Sequence, residues 1–136
     1  MAKSSNNKRL VSIDQRAFIL NDLGQLLLTK EEGFDWDLPG GFFEEGTNWR
    51  EALESLIADN LELQIITKDP IFASDFIDPE TGEYIYMSVI LAESFKDEFD
   101  PANYEEVKWF DLAELTKLAY SNSEIKNAII NYLTKS

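Results

Sequence analysis

Carboxylates carry whatever acid–base or metal chemistry this chain can do. It has no histidine and no cysteine. That removes the commonest general base, the commonest transition-metal ligand and any thiol nucleophile. Such work falls to Asp, Glu, Lys or Tyr. The acids in the most suggestive setting are Glu44, Glu45, Glu51, Glu54 and Asp59, which follow Trp36-Asp37-Leu38-Pro39-Gly40-Gly41-Phe42-Phe43. Pro39 has no N–H to give to a ladder and ends a short strand. Gly40 and Gly41 let the backbone turn sharply and approach another group closely. Asn48 with Glu51 three residues on is a capping box for a helix reaching Asn60, with Thr47 the rival cap.

This strand, glycine turn, acidic loop and helix resemble the signature of the Nudix hydrolase family, MutT-like proteins among them. The family pattern is G-x5-E-x7-R-E-U-x-E-E-x-G-U, where U is apolar, usually preceded by a second glycine. With Gly41 as the first glycine, Thr47 stands at the first Glu position, and Ser55 and Leu56 at the Arg-Glu pair. Ile57 matches the apolar position. Asp59 and Asn60 stand at the Glu-Glu pair, Glu62 at the late glycine, and Leu63 matches the last apolar position. In the family, the helix glutamates hold Mg²⁺ ions that bridge the substrate's diphosphate. The resemblance therefore implies Asp59 as the remaining metal ligand for Mg²⁺ or Mn²⁺. It makes Glu44 and Glu45 candidate catalytic or ligating acids, with solvated loop charges as the alternative. Gly40, Gly41, Trp36 and Phe42 become candidate substrate contacts, although strand and loop aromatics also serve as core. Leu56 cannot ligate a cation and reads as a packing residue. Thr47 and Ser55 replace a Glu and an Arg that pair in the family, so no unpaired charge is left behind.

A second register would align Arg50-Glu51-Ala52-Leu53-Glu54 with the Arg-Glu-U-x-Glu fragment. It needs the loop after Gly41 shortened by five residues. Five residues turn a helix by about 500°, or roughly 140° around its axis. Glu51 and Glu54 would then point away from the direction of the family's acids. The first register is preferred, and Glu51 and Glu54 are expected on a solvated face.

The elements around this stretch set the fold. Leu10–Leu20 has strand character, Asn21–Gly24 turns, and Gln25–Lys30 returns as a hairpin. Phe34–Leu38 is the short strand entering the glycines. The helix should bury Ala52, Leu53, Leu56, Ile57 and Asn60. Strands are expected over Leu61–Thr67, Pro70–Ile77 and Tyr84–Phe95, with Asp78–Glu83 as a turn. The Tyr84 strand is apolar on both faces and therefore central. Glu105–Leu115 carries a second likeness to Nudix proteins: an acidic pair, a strand ending in a Trp-apolar pair, then a short helix. Asp111 with Glu114 marks its start. The last helix follows Ser121-Asn122-Ser123-Glu124 and presents Ile125, Ala128, Ile129, Tyr132 and Leu133. The implied class is α+β, an α/β/α sandwich. Its mixed sheet carries the signature helix on one side and has a C-terminal helix. Residues 1–8 read as a flexible tail and 9–136 as one domain.

Charge bounds the partners. With 26 acids against 12 bases the net charge is −14, which repels a nucleic-acid backbone. It also repels a nucleotide's phosphates unless a cation intervenes. No apolar stretch approaches the ~20 residues of a membrane span. The polar N-terminus lacks a signal-peptide apolar region, so a cytoplasmic location is expected. Three functions fit. One is a hydrolase of nucleoside diphosphates linked to another group, with weak or lost activity. The second is a non-catalytic nucleotide or sugar-nucleotide sensor. The third is an acidic protein-interaction module. Oligomeric state is left open, a homodimer included.

Overall fold

The computed structural model describes residues 10–44, 46 and 48–135. The expected tail, Glu45 and Thr47 lie outside these. The elements in order are β1 (Ser12–Leu20), β2 (Leu26–Lys30), β3 (Trp36–Asp37), β4 (Gly40–Phe42), α1 (Trp49–Leu61), β5 (Ile66–Ile77), β6 (Tyr84–Glu93) and β7 (Glu106–Phe110). A 3₁₀ helix (Leu112–Lys117) and α2 (Ser123–Thr134) close the chain. The strands form one sheet in the order β3-β2-β1-β6-β5, with β4 on β1 and β7 on β2. β1 and β6 are parallel. The pairs β1–β4, β2–β7 and β5–β6 are antiparallel. The sheet is therefore mixed.

Alternation along the strands builds two cores. Phe18, Leu26, Leu28, Met87, Val89 and Phe110 face Leu115 of the 3₁₀ helix and Ile125, Ala128 and Ile129 of α2. Ala17, Ile19, Leu27, Ile90 and Ala92 face Leu53, Ile57 and Leu61 of α1. Successive residues of a strand point to opposite faces, so one sheet serves both helices. β6 lies between β1 and β5 with buried residues on both faces, as its two-sided apolar pattern requires.

Several local expectations are corrected. Phe34–Leu38 contributes only the two residues of β3. Leu61–Thr67 is not a strand. α1 runs through Leu61, and β5 begins at Ile66. Pro70 does not divide two strands either. β5 is continuous across it, with register shifts between Thr67 and Pro70 and between Pro70 and Phe72. It is the edge strand of the sheet order, where a missing N–H and a bulge are tolerated. The buried stripe of α1 is Leu53, Ile57 and Leu61, while Ala52, Leu56 and Asn60 are half-buried to one side.

The ends of α1 follow from its sequence. Asn48 is the N-cap, its side-chain oxygen accepting from the Arg50 N–H at 3.0 Å and the Glu51 N–H at 3.3 Å. Glu62 closes the helix in the left-handed region at φ +51°, its N–H donating to the Ala58 carbonyl. This is the position where the Nudix pattern carries glycine, so backbone geometry supports the register that starts at Gly41. Glutamate there bears the Cβ penalty of that conformation, roughly 1–2 kcal/mol, which glycine avoids at some cost in unfolded-chain entropy. Glu62→Gly is therefore expected to raise stability by about 1 kcal/mol. In urea unfolding this reads as a higher midpoint with an unchanged m-value.

Candidate functional site

The glycine turn is pressed against β1. The Ala17 N–H donates to the Pro39 carbonyl at 2.8 Å. Gly40 pairs with Arg16, Gly41 with Gln15 and Phe42 with Asp14. A Cβ on Gly40 would lie 2.1 Å from the Gln15 carbonyl oxygen and 2.8 Å from Arg16 Cα, so no other residue fits. A Cβ on Gly41 would meet Leu56 Cδ1 at 2.8 Å. Leu56 thus lies directly over Gly41, at the position where the resemblance expects a metal-binding glutamate.

A cavity of about 570 Å³ opens beside this contact. Phe42, Glu44, Glu51, Ser55, Leu56, Asp59 and Asn60 line it. The structure therefore brings Phe42, Glu44 and Asp59 together, as the sequence reading grouped them. Trp36 is elsewhere. Its ring packs edge-on against Phe110, centroids 4.8 Å apart, within the α2-side core. Its role is packing, the alternative already open for it. No acid of residues 97–106 lines this cavity either. That loop is tied to the end of α1 by Asp100 N–H to Leu61 O and by Asn103 Nδ2 to Asn60 O.

Glu54 corrects the expectation of a solvated face. It accepts from both the N–H and the hydroxyl of Thr67, at 3.1 and 2.8 Å, and Arg50 donates to the Thr67 carbonyl and hydroxyl. These two residues clamp α1 to β5. Glu54 therefore faces the strand, whereas Glu51 is exposed at the cavity rim. The five-residue register shift would put the motif's chemistry on a structural clamp.

Divalent metals need several oxygen donors converging on one point, some of them waters or substrate. Among the described residues no three acids converge in that way, and the apolar Leu56 side chain occupies the space over Gly41. Glu44, Glu51 and Asp59 are the acids that line the larger cavity, and a divalent ion there would draw its remaining oxygen donors from water and substrate.

A smaller cavity, about 270 Å³, lies on the other side of the turn. Arg16, Glu31, Phe34, Asp35, Asp37, Gly40, Tyr104 and Ser121 line it. Arg16 Nε and Nη2 donate to the two oxygens of Asp14 at 2.9 and 3.0 Å. Its Nη1 donates to the Leu38 carbonyl at 3.0 Å and lies 3.2 Å from Asp37 Oδ2. Burial works against the Arg16 charge, but Asp37 and Asp14 outweigh it and hold the guanidinium above its ordinary value. Burial pushes the Asp37 carboxyl up despite Arg16 and the nearby Ser121 hydroxyl. Tyr104 is raised by burial and by Glu31. Sequence reading missed this cluster. The legible signal was a lone arginine inside an apolar strand, two residues from Asp14, with Asp37 just before the glycine turn.

The model of the NUDIX domain matches residues 13–131. This chain belongs to the Nudix family. Solved Nudix structures share its fold. A MutT protein from Methanosarcina mazei Go1 is 17% identical, with TM-score 0.77, over 95% of this chain and 99% of that one. A MutT NUDIX hydrolase from Burkholderia pseudomallei is 25% identical, with TM-score 0.75, over 90% and 98%. An ADP-ribose pyrophosphatase from Streptococcus suis is 20% identical, with TM-score 0.69, over 92% of each chain. A search of curated proteins finds no match. No helix among the described residues is long and apolar enough to cross a membrane.

Two outcomes follow from the Arg16 cluster. Arg16→Leu leaves Asp14 and Asp37 without their cation and is expected to cost about 3 kcal/mol in chemical unfolding. The Asp37 carboxyl should titrate above the ordinary aspartate range in ¹³C NMR. The folded state then holds this proton more tightly than the unfolded state. Its contribution is favourable below the unfolded pKa and is lost as pH rises through the raised folded value. Asp37→Asn should remove that component of the stability–pH curve.

Proposed function

We propose that this Nudix domain binds a nucleoside diphosphate linked to another group, and that it hydrolyses the ligand weakly or not at all. The observation that carries the reading is Leu56 seated on Gly41. The position that holds a metal-binding glutamate in the Nudix pattern is occupied by a hydrocarbon. Asp59 alone keeps an acid among the helix positions of that pattern. Binding is supported by what remains: a glycine turn held to β1, a cavity lined by Phe42, Glu44 and Asp59, and a second cavity beyond Gly40. The fold-level likeness to an ADP-ribose pyrophosphatase favours the same ligand class. Asp59, with Glu44 and substrate oxygens, is where residual Mg²⁺ or Mn²⁺ would act. Glu45, next to Glu44 in the sequence, is a further candidate acid.

A turnover screen of nucleoside triphosphates, sugar nucleotides and dinucleotides with Mg²⁺ and with Mn²⁺ tests this. The wild type is compared with Asp59→Ala and with the double variant Leu56→Glu/Asn60→Glu. The expected result is turnover by the double variant at least 100-fold above the wild type. Any wild-type turnover should be metal-dependent and lost in Asp59→Ala. Wild-type activity matching the double variant would overturn weak or lost hydrolysis. Silence from all three, with no thermal stabilisation by any ligand, would favour the acidic interaction module.

A further inference from the structure

The sheet face that α1 covers continues past the helix. Ile13, Ala17 and Ile19 of β1 alternate onto this face, as do Tyr86, Ile90 and Ala92 of β6. Ala17, Ile19, Ile90 and Ala92 pack under α1. Ile13 and Tyr86, partners across β1 and β6, are instead 39% and 43% exposed. Asp75 and Ile77 of β5 carry the same face outward. Asp75 pairs with Tyr86 and Ile77 with Tyr84, and the Tyr84 hydroxyl donates to the Asp75 carboxylate. Ile77 is 56% exposed. Clustered exposed apolar residues of this kind mark an interaction surface.

The backbone beside them is open as well. β5 is the edge of the sheet order, and among the described residues no strand pairs with its outer side. An unpaired edge invites another strand, and proteins blunt such edges with proline, bulges and charge. Pro70 and the register shifts around it protect the first half of β5. From Phe72 to Ile77 the register is regular, and Asp75 is the only charged residue there.

Charge decides which strand can add. Antiparallel self-pairing centred on 73–77 would set Asp75 against Asp75, in a chain of net charge −14. Residues 70–89 carry Asp75, Asp78, Glu80 and Glu83 and no lysine or arginine. Nucleic acids and anionic membranes are repelled for the same reason. Residues 1–9 hold Lys3, Lys8 and Arg9, but only Met1 and Ala2 as apolar side chains.

We infer that the β5 edge from Ala73 to Ile77 binds an extended segment of a partner protein. That segment places a basic residue opposite Asp75 and, two positions away on the same face, an apolar residue opposite Ile77. Main-chain bonds to the edge hold it, and the alternate side chains select it. None of Ala73, Asp75, Ile77 and Tyr86 lines either cavity of the glycine turn, so this surface is independent of nucleotide binding.

The probe is the synthetic peptide Thr-Val-Thr-Lys-Thr-Val-Thr, titrated into the ¹⁵N-labelled full chain. One control replaces its lysine by glutamate, a second replaces both valines by serine, and a third is a peptide of residues 1–9. The lysine peptide should shift the amides of Ala73–Ile77 and Tyr86. It should bind at least about fivefold more tightly than each control, as a favourable charge pair and apolar pairs across strands require. Asp75→Lys should reverse the preference between the lysine and glutamate peptides, and Ile77→Ser should weaken the lysine peptide several-fold. Absence of shifts at these amides, or an unchanged preference in Asp75→Lys, would overturn the inference. Equal binding of the 1–9 peptide would assign the surface to this chain's own N-terminus instead. If the same amides shift on dilution of the protein alone, the edge pairs copies of this chain and the inference fails.

Discussion

The molecule is built around the contact between the glycine turn and β1. Gly40 approaches the backbone of Gln15 and Arg16 so closely that a single methyl group would collide with both. That approach carries β4 onto β1, directs the chain into the loop before α1, and leaves a cavity on either side. Arg16 reinforces it from the strand by bonding the Leu38 carbonyl while held between Asp14 and Asp37. A buried guanidinium is costly to desolvate and is retained where its hydrogen bonds are satisfied. Here they fix the turn to the sheet beside the cavity that Arg16 and Gly40 line.

On that backbone geometry the helix carries its own side-chain chemistry. The fold keeps its helix in the register that begins at Gly41, down to a left-handed residue at Glu62. What differs is the chemistry on the helix. Leu56 turns the space over Gly41 apolar, and it is the neighbour a Gly41 side chain would strike. Arg50 and Glu54, which mimic part of the motif, work as a clamp on Thr67. At one acid position of the family pattern Leu56 packs over Gly41, while Asp59 stays on the cavity beside it. Binding and hydrolysis depend on different parts of such a site, so one can decline without the other.

Much of this was legible in the residues. Strand alternation in β1 and β6 and the apolar stripe of α2 follow from period-2 and period-3.6 patterns. Phe42, Glu44 and Asp59 were site candidates through the Nudix resemblance, and all three line one cavity. The misses have physical causes. α1 passes smoothly into Leu61, and only the left-handed Glu62 stops it, a stop that glutamate does not advertise. Pro70 reads as a break but sits on an edge strand that absorbs it through register shifts. For Trp36 ligand platform and core were both open, and its packing on Phe110, more than seventy residues away in the chain, could not be read locally. The Arg16 cluster joins three segments, and long-range ion pairs leave no local pattern to read.

The central proposal is that Leu56 on Gly41 leaves this chain without a tight resident metal site. Direct titration with Mn²⁺, followed by electron paramagnetic resonance, reports the affinity without needing a substrate. The wild type is expected to show no site tighter than about millimolar, a range where carboxylate sites of few ligands lie. Leu56→Glu/Asn60→Glu should gain one at least 100-fold tighter. A micromolar Mn²⁺ site in the wild type, lost in Asp59→Ala, would contradict the account and restore this chain to the metal-dependent hydrolases of its family.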